Sequence, residues 1–317
     1  MIAGAGLHYP FVTSPNRTRD FIEYLAFCTI LKILKWLPLR VASNLARGLA
    51  DLVNFFSPKW RHVAHRNLNI ALPDTDLVTR QRIIDGTFKN LGRILVALSR
   101  MPELNSKNIH DWIRYEGYEH FQQALRHGRG ILFMTAHLGN WELGAAAHSL
   151  LGHPMHIVVR AFDNPLLDNL MVHYRTMHGN RIIHKNDYGR PLLQALRSNE
   201  AVGILVDQNT LGEDTTFVDF FGIKAASTSG LAKIAMRTGA AVIPGFTLWD
   251  RQTGSYVLKF YPELKLSDTS DFEKDLVTNT QLCQSKIEEV IRNHPDQWLW
   301  IHRRWKNRPV GEPELYL

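Results

Sequence analysis

Gly130-Ile131-Leu132-Phe133-Met134-Thr135-Ala136 is a short apolar run entered through a glycine, and His137-Leu138-Gly139-Asn140-Trp141-Glu142 follows it directly. An apolar run of that length bounded by turn residues reads as a buried strand. Trp141–Leu151 reads as a helix, and Asn140 is placed to cap it. The unit is strand, turn, helix, and the same alternation continues downstream. Met155–Val159, Arg181–His184, Ala201–Val206, Ala241–Leu248 and Tyr256–Tyr261 read as strands. Leu166–His178, Arg190–Ser198 and Phe272–Asn293 read as helices, and another runs to Arg237 with Ser227 as N-cap and Gly239 as C-cap. This order predicts an α/β fold with a central, largely parallel sheet flanked by helices. No internal repeat and no Pro/Gly/Ser-rich linker divides it.

The first hundred residues have a different pattern. Residues 1–20 read as irregular. Phe21–Phe56 reads as two helices broken near Pro38, the second with Val41, Leu45, Leu49 and Leu52 on one side. A basic stretch follows (Lys59, Arg61, His62, His65, Arg66), then a long helix over Asp76–Met101. The apolar stretch Phe21–Leu39 is interrupted by Glu23, Lys32 and Lys35, so it falls short of the ~20 mostly apolar residues of a spanning helix. Lys32 and Lys35 share a face, where they can meet anionic lipid while Phe27 and Trp36 enter the headgroup region. The expectation is a helix lying in or dipping into a membrane, with a tilted span as the alternative. Residues 1–56 are therefore read as an N-terminal helical, membrane-associating segment and 57–317 as the α/β domain. No secretory signal pattern is expected at the N-terminus.

Charge and cysteine usage narrow the classes. Lys and Arg number 37 against 30 Asp and Glu, a net charge of +7 that suits nucleic acid, an acidic membrane or an acidic protein. No basic–aromatic nucleic-acid module accompanies it. The 2 cysteines, Cys28 and Cys283, exclude a disulfide framework.

His137 and Glu142 are the candidate catalytic pair. Five residues apart in one helix, they would sit about 140° apart around the axis. With His137 in the turn and Glu142 in the first helical turn they can meet. Glu142 would then accept a hydrogen bond from one ring nitrogen and leave the other free as a base. Helix-start amides, or a nearby Arg, could hold a developing oxyanion. Such a site can deprotonate an alcohol attacking a thioester. Taken alone, the spacing is also met by a polar strand end and a helix-dipole acid.

The wider pattern resembles the bacterial lipid A late acyltransferases, the lauroyl/myristoyl acyltransferase family. The family's His-x-x-x-x-Asp/Glu pair is matched by His137 and Glu142. Further blocks are similar in order: Val159-Arg160-Ala161-Phe162-Asp163-Asn164-Pro165; Val206-Asp207-Gln208; Phe220-Phe221-Gly222 through Ala240; and Pro295-Asp296-Gln297-Trp298-Leu299-Trp300 through Pro309. The resemblance implies His137 as base and Glu142 as its partner. It implies substrate-binding roles for Asn140, Arg160, Asp207 and Gln208, with Arg160 on a phosphate or the oxyanion. It implies an acyl-acyl carrier protein donor (or acyl-coenzyme A), a lipid A precursor or related glycolipid as acceptor, and work at an anionic membrane, the cytoplasmic face of the inner membrane. No cofactor and no nucleic acid is implied.

Three other readings are set beside this one. A lysophospholipid or glycerol-phosphate acyltransferase would use a similar pair, but its Phe-Pro-Glu-Gly-type block is absent. A zinc hydrolase is suggested by 15 histidines, but His-Glu-x-x-His is absent. A membrane-surface binding protein without activity is the non-enzyme alternative.

Overall fold

The computed structural model describes residues 16–185 and 189–316. The irregular reading of residues 1–20 lies outside these residues up to position 15, and Arg17–Asp20 are helical, because Asn16 caps the helix by accepting Arg19 N–H. Four helices come first: α1 (Arg17–Trp36), α2 (Leu39–Phe56), α3 (Pro58–Ala71) and α4 (Leu77–Arg100). The basic stretch is thus one face of α3. The alternating part comprises β1 (Ile113–Glu116), α5 (Tyr118–Arg126), β2 (Ile131–Thr135), α6 (Trp141–Leu150), β3 (His156–Val159), α7 (Pro165–Thr176), β4 (Arg181–His184), α8 (Gly189–Arg197) and β5 (Ala201–Leu205). It continues with β6 (Thr215–Phe220), β7 (Ile223–Thr228), α9 (Gly230–Thr238), β8 (Ala241–Asp250), β9 (Ser255–Phe260) and α10 (Phe272–Asn293).

The main sheet has the order β1-β9-β8-β2-β5-β3-β4. Its pairings are parallel except β8 with β9, which are antiparallel. The sheet is therefore largely parallel, as its buried apolar strands require. β2 is central and buried throughout except at Thr135. β1, α5 and the antiparallel hairpin β6–β7 are not among the elements expected above, although α5 carries Tyr118, Phe121 and Leu125 at helical spacing. Ser227 lies in β7, so it does not cap α9; Ser229 precedes that helix, while Gly239 ends it at φ +69°, a left-handed position that suits glycine.

α2 packs on the protein through its small residues and not through the apolar side Val41, Leu45, Leu49 and Leu52. Ala42, Ala46, Ala50 and Asn54 are buried, while Val41, Leu45 and Leu52 are exposed. The small residues permit close approach of α4: a Cβ on Gly92 would stand 2.9 Å from the Ala46 carbonyl oxygen. On α1, Leu31 and Leu34 are buried, Phe27 packs partly against the core, and Trp36 is 86% exposed. Arg100 of α4 ties the end of α1 by donating to the carbonyl oxygens of Leu34 and Leu37. Among the described residues no helix is long and apolar enough to cross a membrane.

The C-terminal tail has little regular structure, yet it is part of the core. Trp298, Trp300, Trp305 and Arg304 are at most 1% exposed. The Arg304 guanidinium donates to the Ala226 carbonyl, to Ser227 Oγ and to Gln284 Oε1, and lies 4.8 Å over the Phe220 ring. These contacts lock the tail across β7 and α10.

Candidate active site

The site forms at the carboxyl ends of β2 and β5, where neighbouring parallel strands deliver their next residues to one place. From β2 the chain passes through His137 into the tight turn Leu138-Gly139. Gly139 has φ +65°, and a Cβ there would lie 1.8 Å from the Thr247 carbonyl oxygen. Only glycine fits. The turn is held from three directions: Gly139 N–H donates to the Gln297 carbonyl at 3.0 Å, Asn140 N–H donates to the Thr247 carbonyl at 2.8 Å, and Asn90 Nδ2 donates to the Gly139 carbonyl at 2.8 Å. Asn140 Oδ1 accepts Leu143 N–H at 3.1 Å, capping α6. The tail contributes again, because Leu299 N–H donates to the His137 carbonyl at 3.1 Å.

From β5 comes Asp207, which is 1% exposed. Its Oδ1 lies 2.9 Å from His137 Nδ1, and its Oδ2 accepts both the His137 backbone N–H at 3.0 Å and Trp298 Nε1–H at 2.8 Å. Burial alone would raise the Asp207 carboxyl; the imidazole charge and the three hydrogen bonds outweigh it and hold the group down to about 2. The carboxylate is therefore ionised throughout the neutral range. With Nδ1 committed to Asp207, His137 carries its available lone pair on Nε2. The ring side chain is 24% exposed and borders a cavity of about 770 Å³.

Glu142 does not make the bond to His137 expected of it. Its two oxygens accept Arg175 Nε at 3.0 Å and Nη2 at 2.6 Å, a bidentate pair, and Trp141 Nε1 donates to Oε1 at 3.2 Å. The physical reason is direction: Glu142 on the first turn of α6 leans toward α7, while β5 brings a carboxylate under the ring. Burial works against the Arg175 charge, but Glu142 beside it raises the guanidinium further above its ordinary range. Trp141 links the two motif residues, donating to Glu142 while its ring centroid lies 5.0 Å from that of His137.

The remaining expectations separate in the same way. Arg160 lines the mouth of the cavity, 76% exposed and paired with Asp163 at 2.7 Å. Gln208 also lines the cavity. Asn140 and Asp207, expected to touch substrate, are instead buried behind the turn, one as the cap of α6 and the other as the partner of His137. Arg175, Trp298 and His302 were missed. Arg175 lies outside every quoted block, while Trp298 and His302 lie within the C-terminal block, from which no site role is assigned to either. No metal-ligating cluster occurs among the described residues. The cavity runs from this polar mouth along Met155 and then Ile157 and Val159 of β3, Gly203 to Leu205 of β5, and Leu231 and Ile234 of α9. An apolar trough beside a held imidazole suits a long acyl chain with its reactive end at His137.

Residues 10–307 match the family model for the bacterial lipid A biosynthesis acyltransferases. The chain belongs to that family. It is an acyltransferase of lipid A biosynthesis. It is 28% identical to a lipid A biosynthesis acyltransferase of Haemophilus influenzae over 288 residues, covering 90% of this chain and 88% of the relative. It is 27% identical to the lipid A biosynthesis palmitoleoyltransferase of Escherichia coli, covering 89% and 90% of the two chains. Identity to the Escherichia coli lipid A biosynthesis lauroyltransferase is also 27%, covering 96% and 98%. Two relatives named for different acyl chains are thus equally similar to this acyltransferase, so overall identity does not select a chain length.

Proposed function

We propose that this acyltransferase moves a fatty acyl chain from an acyl-acyl carrier protein thioester to a hydroxyl of a lipid A precursor, with His137 as general base. The carrying observation is His137 Nδ1 at 2.9 Å from Asp207, which commits one nitrogen and leaves Nε2 for the acceptor hydroxyl. Nε2 removes the hydroxyl proton as the oxygen attacks the thioester carbonyl. Asp207 fixes the tautomer and stabilises the imidazolium that forms. Collapse of the tetrahedral intermediate breaks the carbon–sulfur bond, and the imidazolium returns the proton to the thiolate. The Glu142–Arg175 pair shapes the wall beside the ring and keeps an arginine in the cavity at fixed geometry. Arg160 at the mouth meets a phosphate of the acceptor.

The reaction takes place at the cytoplasmic face of the inner membrane. Phe21, Ile22, Leu25, Ile33 and Trp36 of α1, and Phe55 and Phe56 of α2, expose apolar surface that supports lipid contact. The net charge of +7 favours an anionic leaflet and an acidic carrier protein. The test is an assay of purified enzyme against a matrix of acyl-carrier-protein and acyl-coenzyme A donors with phosphorylated lipid A precursors, read by mass spectrometry. The expected product is a precursor one acyl chain heavier, formed from the carrier-protein thioester and lost in His137→Ala. Transfer from coenzyme A alone would overturn the donor, and retained transfer in His137→Ala would overturn the base.

A further inference from the structure

His302 borders the same cavity as His137, and the proton transfers above do not use it. It is carried by the C-terminal tail. Its Nε2 accepts the Asn209 backbone N–H at 3.1 Å. A backbone amide can only donate, so Nε2 must present its lone pair, and the ring proton must sit on Nδ1. Asn209 is itself fixed, since its Oδ1 accepts Asn307 N–H at 3.0 Å. The tautomer is therefore locked by two segments that hold each other. Nδ1 has no partner among the described residues.

The charge state of this ring is also set. Burial lowers the imidazole most, the Asp207 carboxylate opposes that, and the His137 ring adds to it, leaving the group at about 4. His302 is neutral at neutral pH. The two histidines are thus opposite in kind: His137 offers a lone pair at Nε2, and His302 offers an N–H at Nδ1. A neutral, preorganised donor favours an oxygen that gains charge during reaction over one that is charged from the start. Arg175 gives two of its five N–H groups to Glu142 and is charged before and after reaction, so it does not favour an oxygen that gains charge over one charged from the start.

We propose that His302 is a catalytic residue whose Nδ1–H donates a hydrogen bond to the thioester carbonyl oxygen as it becomes an oxyanion. This rests on the acyl-transfer reading above. The acceptor oxygen forms its bond to the carbonyl carbon, the carbonyl π pair moves onto oxygen, and His302 stabilises that charge. When the pair returns, the carbon–sulfur bond breaks and the thiolate leaves with the proton from His137. His302 itself gains and loses no proton.

The test separates the donor from the packing role. Replacing His302 by Nδ1-methylhistidine keeps Nε2 for Asn209 and removes the Nδ1 hydrogen. With acyl-acyl carrier protein and a phosphorylated lipid A precursor, kcat is expected to fall about 100-fold. KM should stay within about twofold and thermal stability should be unchanged. His302→Asn places an amide nitrogen near the Nδ1 position and should recover about tenfold over His302→Ala. Wild-type kcat in the methylhistidine enzyme, or equal kcat for the Asn and Ala variants, would overturn the donor role while His137→Ala remains inactive. A wild-type enzyme with no acyl transfer would overturn the underlying reading, and this inference with it.

Discussion

The two ends of the described chain are both rich in aromatic and basic residues, yet they treat water in opposite ways. At the N-terminal end, α1 and α2 leave Trp36 86% and Phe55 and Phe56 each 70% exposed. At the C-terminal end, Trp298, Trp300 and Trp305 are at most 1% exposed. Backbone hydrogen bonding explains the difference. A helix satisfies its own amides and can afford an unpartnered apolar face. The tail has no such internal ladder, so its polar groups must find partners inside the protein. They find them at the active site: Leu299 N–H on the His137 carbonyl, the Gln297 carbonyl on Gly139 N–H, and Trp298 Nε1–H on Asp207. The tail is thus a wall of the candidate active site, whereas the apolar face of α1 and α2 stays exposed among the described residues.

That contrast can be broken from either end. The largest effect is expected at the tail. Trp300→Ala removes a fully buried ring that packs at 4.7 Å against Trp298, and should cost about 3–5 kcal/mol of stability, measured by denaturant unfolding. Activity should fall with it, because the Trp298–Asp207 bond loses its support. A loss within about 0.5 kcal/mol would mean that the tail is only laid on the domain. The smallest effect on folding is expected at the other end. Trp36→Ser with Phe55→Ser and Phe56→Ser should leave stability within about 1 kcal/mol. The same triple variant should bind anionic phospholipid vesicles at least about tenfold more weakly at moderate salt. Unchanged vesicle binding would move the lipid contact elsewhere.

Much of this was legible in the sequence, and the failures have physical causes. α10 and β4 are observed at the limits read from the sequence, and β2 and α6 within one residue at either end, because a cap or turn residue marks where each pattern begins. The apolar side Val41, Leu45, Leu49 and Leu52 is legible in the sequence, but which side meets α4 is not, because close helix–helix approach selects alanine and glycine and leaves the larger residues outside. The β6–β7 hairpin was hidden because its strands are half-buried and lack an even alternation. At the site, His137 was placed in its turn by the strand–turn–helix pattern. Its partner was not, because sequence proximity favoured Glu142 while the parallel pairing of β2 with β5 brings Asp207 from seventy residues away. A side-chain contact between neighbouring parallel strands has no local signature. The block Val206-Asp207-Gln208 was a signal, but of importance rather than of position.

Asp207, not Glu142, is the hydrogen-bonded partner of His137, the proposed base. The most direct measurement is the pre-steady-state rate of acyl transfer in Asp207→Asn beside Glu142→Gln, with saturating donor and acceptor. Asp207→Asn turns an acceptor of the Nδ1 proton into an amide that can present a donor instead, so the chemical step is expected to slow by about 1,000-fold or more. Glu142→Gln leaves the ring held by Asp207 and should act through Arg175, slowing the step by no more than about 100-fold. A near-normal rate in Asp207→Asn, with Glu142→Gln inactive, would contradict the account.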